Sequence, residues 1–152
     1  MNILKSRKAE GYRGYIFSRK INNNFIPQRV QNLVIKDFAK RKNFFFKLSS
    51  TEYIMNGSYL MLGALVKEVK MLEGVIFYSY EMLFDNVSFC RDILIKIVKN
   101  KKNVYFALEE FQIKNDTDIK NLLKIIQIKK NSMSFVESKT LKELLNKSNK
   151  KR

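Results

Sequence analysis

Tyr15-Ile16-Phe17-Ser18-Arg19, followed by Asn22-Asn23-Asn24-Phe25-Ile26-Pro27, is the stretch whose reading decides the fold. An apolar, strand-like run stops at a hydroxyl and a guanidinium. A polar loop then leads to the chain's only proline, and proline suits the first turn of a helix. Val30, Leu33, Val34 and Phe38 follow at helical spacing. A strand ending in polar groups just before a helix start is how open α/β proteins build a site.

Working outward, the pattern repeats. Phe44–Leu48, Val75–Tyr78 and Val104–Leu108 read as further strands. A second helix is expected from Asn56 or Ser58 to Leu72, with Leu62, Leu65, Val66 and Val69 on one face. A third opens at Asp85 with Phe89, Ile93, Leu94 and Ile97 inward. Asp116 or Thr117 caps a fourth, carrying Ile119, Leu122, Leu123 and Ile126. Met133–Val136 suggests a short fifth strand, and Thr140 to Glu143 is a capping-box pattern before a last short helix. Strands alternating with helices imply parallel pairing and long, right-handed crossovers. The expected fold is a single three-layer α/β domain over residues 1–152, a mostly parallel sheet of four to five strands with helices on both faces. Residues 1–10 and 147–152 read as flexible basic ends.

Composition narrows the chemistry. The 152 residues contain no histidine and one cysteine, Cys90. That removes imidazole bases, Ser-His and Cys-His pairs, and His- or Cys-built metal sites. No GxxxxGK[ST] or GxGxxG occurs. No metal and no cofactor is therefore expected. The longest clear apolar run, Leu60 to Val66, is far too short for a membrane span, and the basic N-terminus lacks the apolar core of a signal peptide. The chain reads as cytoplasmic. Its formal charge is +16, but 23 of the 30 cations are lysine. A basic surface attracts polyanions, yet a joint excess of Lys, Asn, Ile and Phe is also what AT-rich coding produces. Nucleic acid therefore ranks below a small anion as partner.

In such sheets the ligand meets the carboxyl ends of the strands. Those ends carry Ser18 and Arg19; Ser49, Ser50, Thr51, Glu52 and Tyr53; Ser79, Tyr80 and Glu81; and Glu109 and Glu110. Loops and helix starts are polar in any case, so no single residue among them is decisive. The opposite rim, with Asn43, Gly74 and Asn103, has nothing comparable.

Gly11–Arg19, Phe25–Asn32, Leu48–Tyr53, Tyr78–Leu83 and Ala107–Glu109 together resemble the sporadic carbohydrate cluster proteins, small bacterial proteins of cell-surface polysaccharide gene clusters. The resemblance spans roughly residues 11–113. It implies a component of O-antigen, capsule or nonulosonate biosynthesis that binds or transforms a phosphorylated or nucleotide-activated sugar. On that reading Ser18, Arg19, Arg29, Ser50, Thr51, Tyr53 and Ser79 bind the anionic sugar. Glu52, Glu109 and Tyr80 are the candidates for proton transfer. A more distant likeness, in the order of strands and a Gln-containing helix, is to serine recombinase catalytic domains, which implies a resolvase- or flavodoxin-like sheet. Glu81 and Phe84 stand where those enzymes want arginines, so a scissile phosphate would go unstabilised. The alternatives are a non-catalytic, resolvase-like nucleic-acid-binding protein or a non-catalytic partner of a pathway enzyme. A homodimer through Phe44–Phe46 or Leu141–Leu145 is a further expectation.

Overall fold

The computed structural model describes residues 10–149. Strands β1 (Tyr12–Phe17), β2 (Phe46–Glu52), β3 (Gly74–Phe77), β4 (Asn103–Phe106) and β5 (Phe111–Ile113) form one sheet in the order β2-β1-β3-β4-β5. The first four run parallel and β5 is antiparallel to β4. Helices α1 (Gln28–Arg41), α2 (Leu60–Glu68) and α3 (Val87–Lys99) are the crossovers. The chain steps outward from β1 to β2, then back past β1 to β3. Right-handed connections therefore place α1 on one face and α2 and α3 on the other. This is the mostly parallel α/β sheet that the alternation implies. The chain divides into two compact units, one through Ile119 and one from Lys120 onward. Helix α4 (Asp116–Asn149) starts in the first and makes up the second.

Strands β1 and β3 lie wholly in the interior, where Tyr15, Phe17, Ile76 and Phe77 are buried. Both faces of a central parallel strand are covered, so an almost unbroken apolar run is required there. Strand β2 is at the edge, and its polar residues are tolerated for that reason. Phe44 does not belong to it. Its ring stacks on Tyr12, with centroids 4.2 Å apart, and lies edge-on to Phe38 of α1. The expected strand Phe44–Leu48 is thus displaced toward its C-terminal side, and Ser49–Glu52 are strand rather than loop.

Register shifts between Arg13, paired with Lys47, and Tyr15, paired with Ser50. The extra residue in β2 leaves Leu48 81 % exposed and turns Ser49 to the α1 face, where its hydroxyl donates to Asn32 Oδ1 at 2.6 Å. Gly14 lies against this bulge, and a Cβ there would collide with Ser49 Oγ. Close approach accounts for this glycine.

Other expectations are corrected. Residues Met133–Val136 are helical, inside α4, and the fifth strand is Phe111–Ile113 instead. Thr140 opens no new helix; its hydroxyl donates to Val136 O within α4. Helix α3 is capped by Asn86, whose Oδ1 accepts from Phe89 N, and a 3-10 turn over Tyr80–Asn86 precedes it. Phe89 faces outward, while Ile93, Leu94 and Ile97 are buried as expected. Among the described residues no helix is long and apolar enough to cross a membrane. The expectations for residues 1–9 and 150–152 lie outside the described residues. Of the segment Leu141–Leu145, Leu141 is exposed on α4.

Candidate functional site

The carboxyl ends of β1 to β4 bring the candidate residues to one rim, but as three separate clusters. The first is built around Arg19. Its side chain is only 4 % exposed, Nε donates to Asp85 Oδ2 at 2.9 Å, and the guanidinium carbon lies 4.1 Å from the Phe17 ring centre and 4.8 Å from that of Tyr59. Nη1 reaches the Tyr53 carbonyl at 3.4 Å, and Nη2 is buried without a partner. An external anion would have to compete with Asp85, which already occupies the corner. Burial pushes the Tyr59 hydroxyl well up, and that hydroxyl donates to Met82 O at 2.7 Å. Arg29 is exposed on α1. Ser18 is half-buried beside the cluster.

The second cluster is centred on Glu52, which is buried. Its carboxylate accepts from Tyr15 OH (2.9 Å), Tyr53 N (3.0 Å), Ser58 Oγ (3.2 Å), Met61 N (3.0 Å) and Leu62 N (3.2 Å). Met61 and Leu62 are in the first turn of α2, so a carboxylate distant in sequence performs the capping expected of Asn56 or Ser58. Burial alone would raise the Glu52 carboxyl, but the donors from Tyr53, Met61, Tyr15 and Leu62 together hold it below its ordinary range. A carboxylate so firmly ionised is poorly suited to take up a proton near neutral pH. Ser50 is buried in β2, while Thr51 and Tyr53 are exposed.

The third cluster pairs β3 with β4. Ser79 is buried and its hydroxyl donates to Glu109 Oε1 at 2.6 Å, while also accepting from Glu81 N at 3.1 Å. Glu109 Oε2 is buried with no hydrogen-bond partner. Burial raises the Glu109 carboxyl, the Ser79 hydroxyl offsets part of this, and the nearby Glu81 adds to it. Tyr80 packs edge-on to Phe106. Of the two carboxylate candidates, Glu109 has its affinity for a proton raised and Glu52 has it lowered.

A carboxyl raised by burial costs the fold stability as pH climbs from its unfolded value through its folded one, because the ionised form is disfavoured in the folded chain. Glu109→Gln keeps an acceptor for Ser79 and removes the charge. Its melting temperature relative to the parent is expected to rise between pH 5 and pH 8. A difference independent of pH would show that Glu109 is an ordinary carboxylate.

Three residues central to these clusters escape a reading by strand ends. Gln31 of α1 is fully buried; its amide donates to Phe17 O (2.7 Å) and Ile26 O (2.8 Å) and accepts from Phe17 N (3.2 Å). Asp85 and Tyr59 complete the Arg19 cage. A polar residue on the inward stripe of an amphipathic helix, as Gln31 is, was the available signal. Cys90 is buried and its thiol is pushed up to about 12 by burial, so it is unreactive. Among the described residues no group of three His, Cys, Asp or Glu could hold a metal ion.

The sheet order, the crossovers and a polar rim at the strand carboxyl ends define an open, mostly parallel α/β domain. The chain is similar to a resolvase family site-specific recombinase from Streptococcus pneumoniae, at 12 % identity and TM-score 0.57, over 91 % of this chain and 99 % of that one. It is similar also to the N-terminal catalytic domain of TP901-1 integrase, at 17 % identity and TM-score 0.55, over 82 % and 98 % of the two chains. At these identities the likeness is one of fold. No protein-family model and no curated protein sequence matches the chain. The resemblance to sporadic carbohydrate cluster proteins therefore rests on the quoted motifs alone.

Proposed function

We propose that the chain is a resolvase-fold binding protein that neither cuts nor rejoins DNA, and that its partner is the phosphate backbone of a nucleic acid. The observation that carries the first half is the commitment of Arg19 to Asp85. With Glu52, Glu81 and Glu109 on the same rim, a phosphodiester at the Arg19 corner would meet carboxylates and a guanidinium already paired with Asp85. The second half is supported by charge. Residues 120–152 carry ten basic and two acidic side chains, and Lys120, Lys124, Lys139 and Lys142 are exposed on α4. Contacts of this kind are sequence-tolerant and release counterions.

The test is fluorescence anisotropy with a labelled duplex at two salt concentrations, beside incubation with supercoiled plasmid. Binding is expected at low salt, with log K falling by about 0.9 per phosphate contacted for each tenfold rise in salt. Changing Lys120, Lys124, Lys139 and Lys142 to Gln should weaken it at least about tenfold, and the plasmid should stay intact. Salt-independent binding, or none at low salt, would overturn the reading, and plasmid nicking would overturn its non-catalytic half.

One observation favours a second reading, in which the chain serves cell-surface carbohydrate biosynthesis. The unpartnered, buried Glu109 oxygen beside Ser79 belongs to a carboxyl that burial raises above its ordinary range, a group placed to exchange a proton. In that reading Glu109 acts as base, Tyr80 as hydroxyl donor, and a nucleotide-activated sugar lies on the rim. A melting shift with a nucleotide sugar that Glu109→Gln abolishes would favour it over the first.

A further inference from the structure

The opposite rim holds a recess of about 500 Å³ lined by Glu10, Arg13, Lys47, Glu68, Lys70 and Leu72 among others. Two of its cations are register partners: Arg13 of β1 lies directly beside Lys47 of β2, so both side chains leave the same face of the sheet. Like charges placed opposite each other on neighbouring strands repel. Their compensation within the chain is incomplete. Arg13 Nη2 meets Glu68 Oε2 only at 3.7 Å, longer than a hydrogen bond, and Arg13 Nε is buried with no partner at all. Glu10 is already answered by Lys102 at 3.3 Å. Lys47 and Lys70 have no ion-pair partner among the described residues.

The end of helix α2 lies nearby, and a cation is welcome at a helix C-terminus. Lys67 in its last turn already meets that need. The recess thus carries a guanidinium held by Glu68 only at 3.7 Å and two ammonium groups without ion-pair partners, which a doubly charged anion would answer together. We propose that this recess binds a small phosphate monoester. Its phosphoryl oxygens would meet the Arg13 guanidinium together with Lys47 and Lys70. Glu10 and Glu68 at the margin would accept hydrogen bonds from hydroxyls on the ligand's body, and they repel a continuous polyanion. A concave site with carboxylates at its edge suits a phosphorylated polyol better than a nucleic-acid backbone. The site is distinct from the strand-end rim and from α4, and it stands whether or not the chain binds nucleic acid.

The test uses the full chain and isothermal titration with inorganic phosphate, glucose 6-phosphate, glucose and a short DNA duplex. Glucose 6-phosphate should bind more tightly than phosphate, and glucose should not bind. Lys47→Gln and Lys70→Gln should each weaken glucose 6-phosphate about tenfold and leave the duplex unaffected. Arg13→Gln should weaken it more, and Lys40→Gln, on α1, should change nothing. Equal loss in Lys40→Gln would reduce the effect to general basicity and overturn the proposal. So would binding of phosphate and duplex that Lys47→Gln and Lys70→Gln weaken alike, which would assign the recess to the nucleic acid. Absence of any heat with glucose 6-phosphate at millimolar concentration overturns it outright.

Discussion

Glu52→Ala is expected to cost about 3–5 kcal/mol of stability, enough to leave much of the chain unfolded at physiological temperature. The change removes no large hydrophobic volume. It strands the Tyr15 hydroxyl, the Tyr53 N–H and the first-turn N–H groups of α2, all of which converge on this carboxylate. Each buried donor left without an acceptor costs about 1–3 kcal/mol. Tyr53 and Met61 can recover water, and Tyr15 and Leu62 cannot. Glu52→Gln supplies one acceptor oxygen and should recover about half of the loss. Acid should reproduce the effect in the parent chain. Because the folded carboxyl titrates below its unfolded value, its contribution is complete above the unfolded value and disappears as pH falls through the folded one. Urea unfolding at pH 7 and below pH 4 measures both. A loss under 1 kcal/mol at pH 7 would mean that Glu52 is not the cap of α2.

Gln31→Leu should cost about 2–4 kcal/mol, although it preserves shape and adds apolar surface. The amide closes the backbone at the exit of β1, where Phe17 has both its N–H and its carbonyl turned to Gln31 rather than to a neighbouring strand. A third bond, to Ile26 O, ties the loop before α1 to the same point. Gln31→Glu is the sharper variant. It can still accept from Phe17 N but cannot donate when ionised, and it brings a charge into a dry site, so it should be at least as damaging as Leu. Thermal unfolding reports the cost, and amide exchange at Phe17 should quicken in either variant. If Glu were tolerated and Leu were not, acceptance rather than donation would be the function of this residue.

The fold was legible where apolar runs are long and buried on both sides. Tyr15–Phe17, Val75–Phe77 and Val104–Phe106 could be nothing else, and the proline marked the start of α1 within one residue. Legibility failed at the sheet's margins. Strand β2 is polar because it is an edge, so the aromatic triplet that ends at its first residue drew the assignment toward the N-terminus. Strand β5 is three residues long and antiparallel, below what periodicity resolves. The candidate rim was legible as a set of residues and not as a circuit. Nothing local shows that Arg19 will find Asp85, that Glu52 will reach the start of α2, or that Ser79 will face Glu109. Those partners are 66, 9 to 10, and 30 residues apart. The Arg13–Lys47 pairing was hidden for the same reason, since strand register is a property of the folded sheet.

The bulge at Leu48 has a consequence for how copies of this chain can meet. A free sheet edge is a template on which another strand can grow, whether in a dimer or in an aggregate. Here the outer margin of β2 is interrupted by an unpaired residue that bends it, and Lys47 flanks the bend. The far margin is a strand of three residues, too short to guide a partner. Neither border offers a straight run of hydrogen-bonding groups. Such borders are poor templates for sheet extension, the hazard that a composition rich in phenylalanine and isoleucine brings.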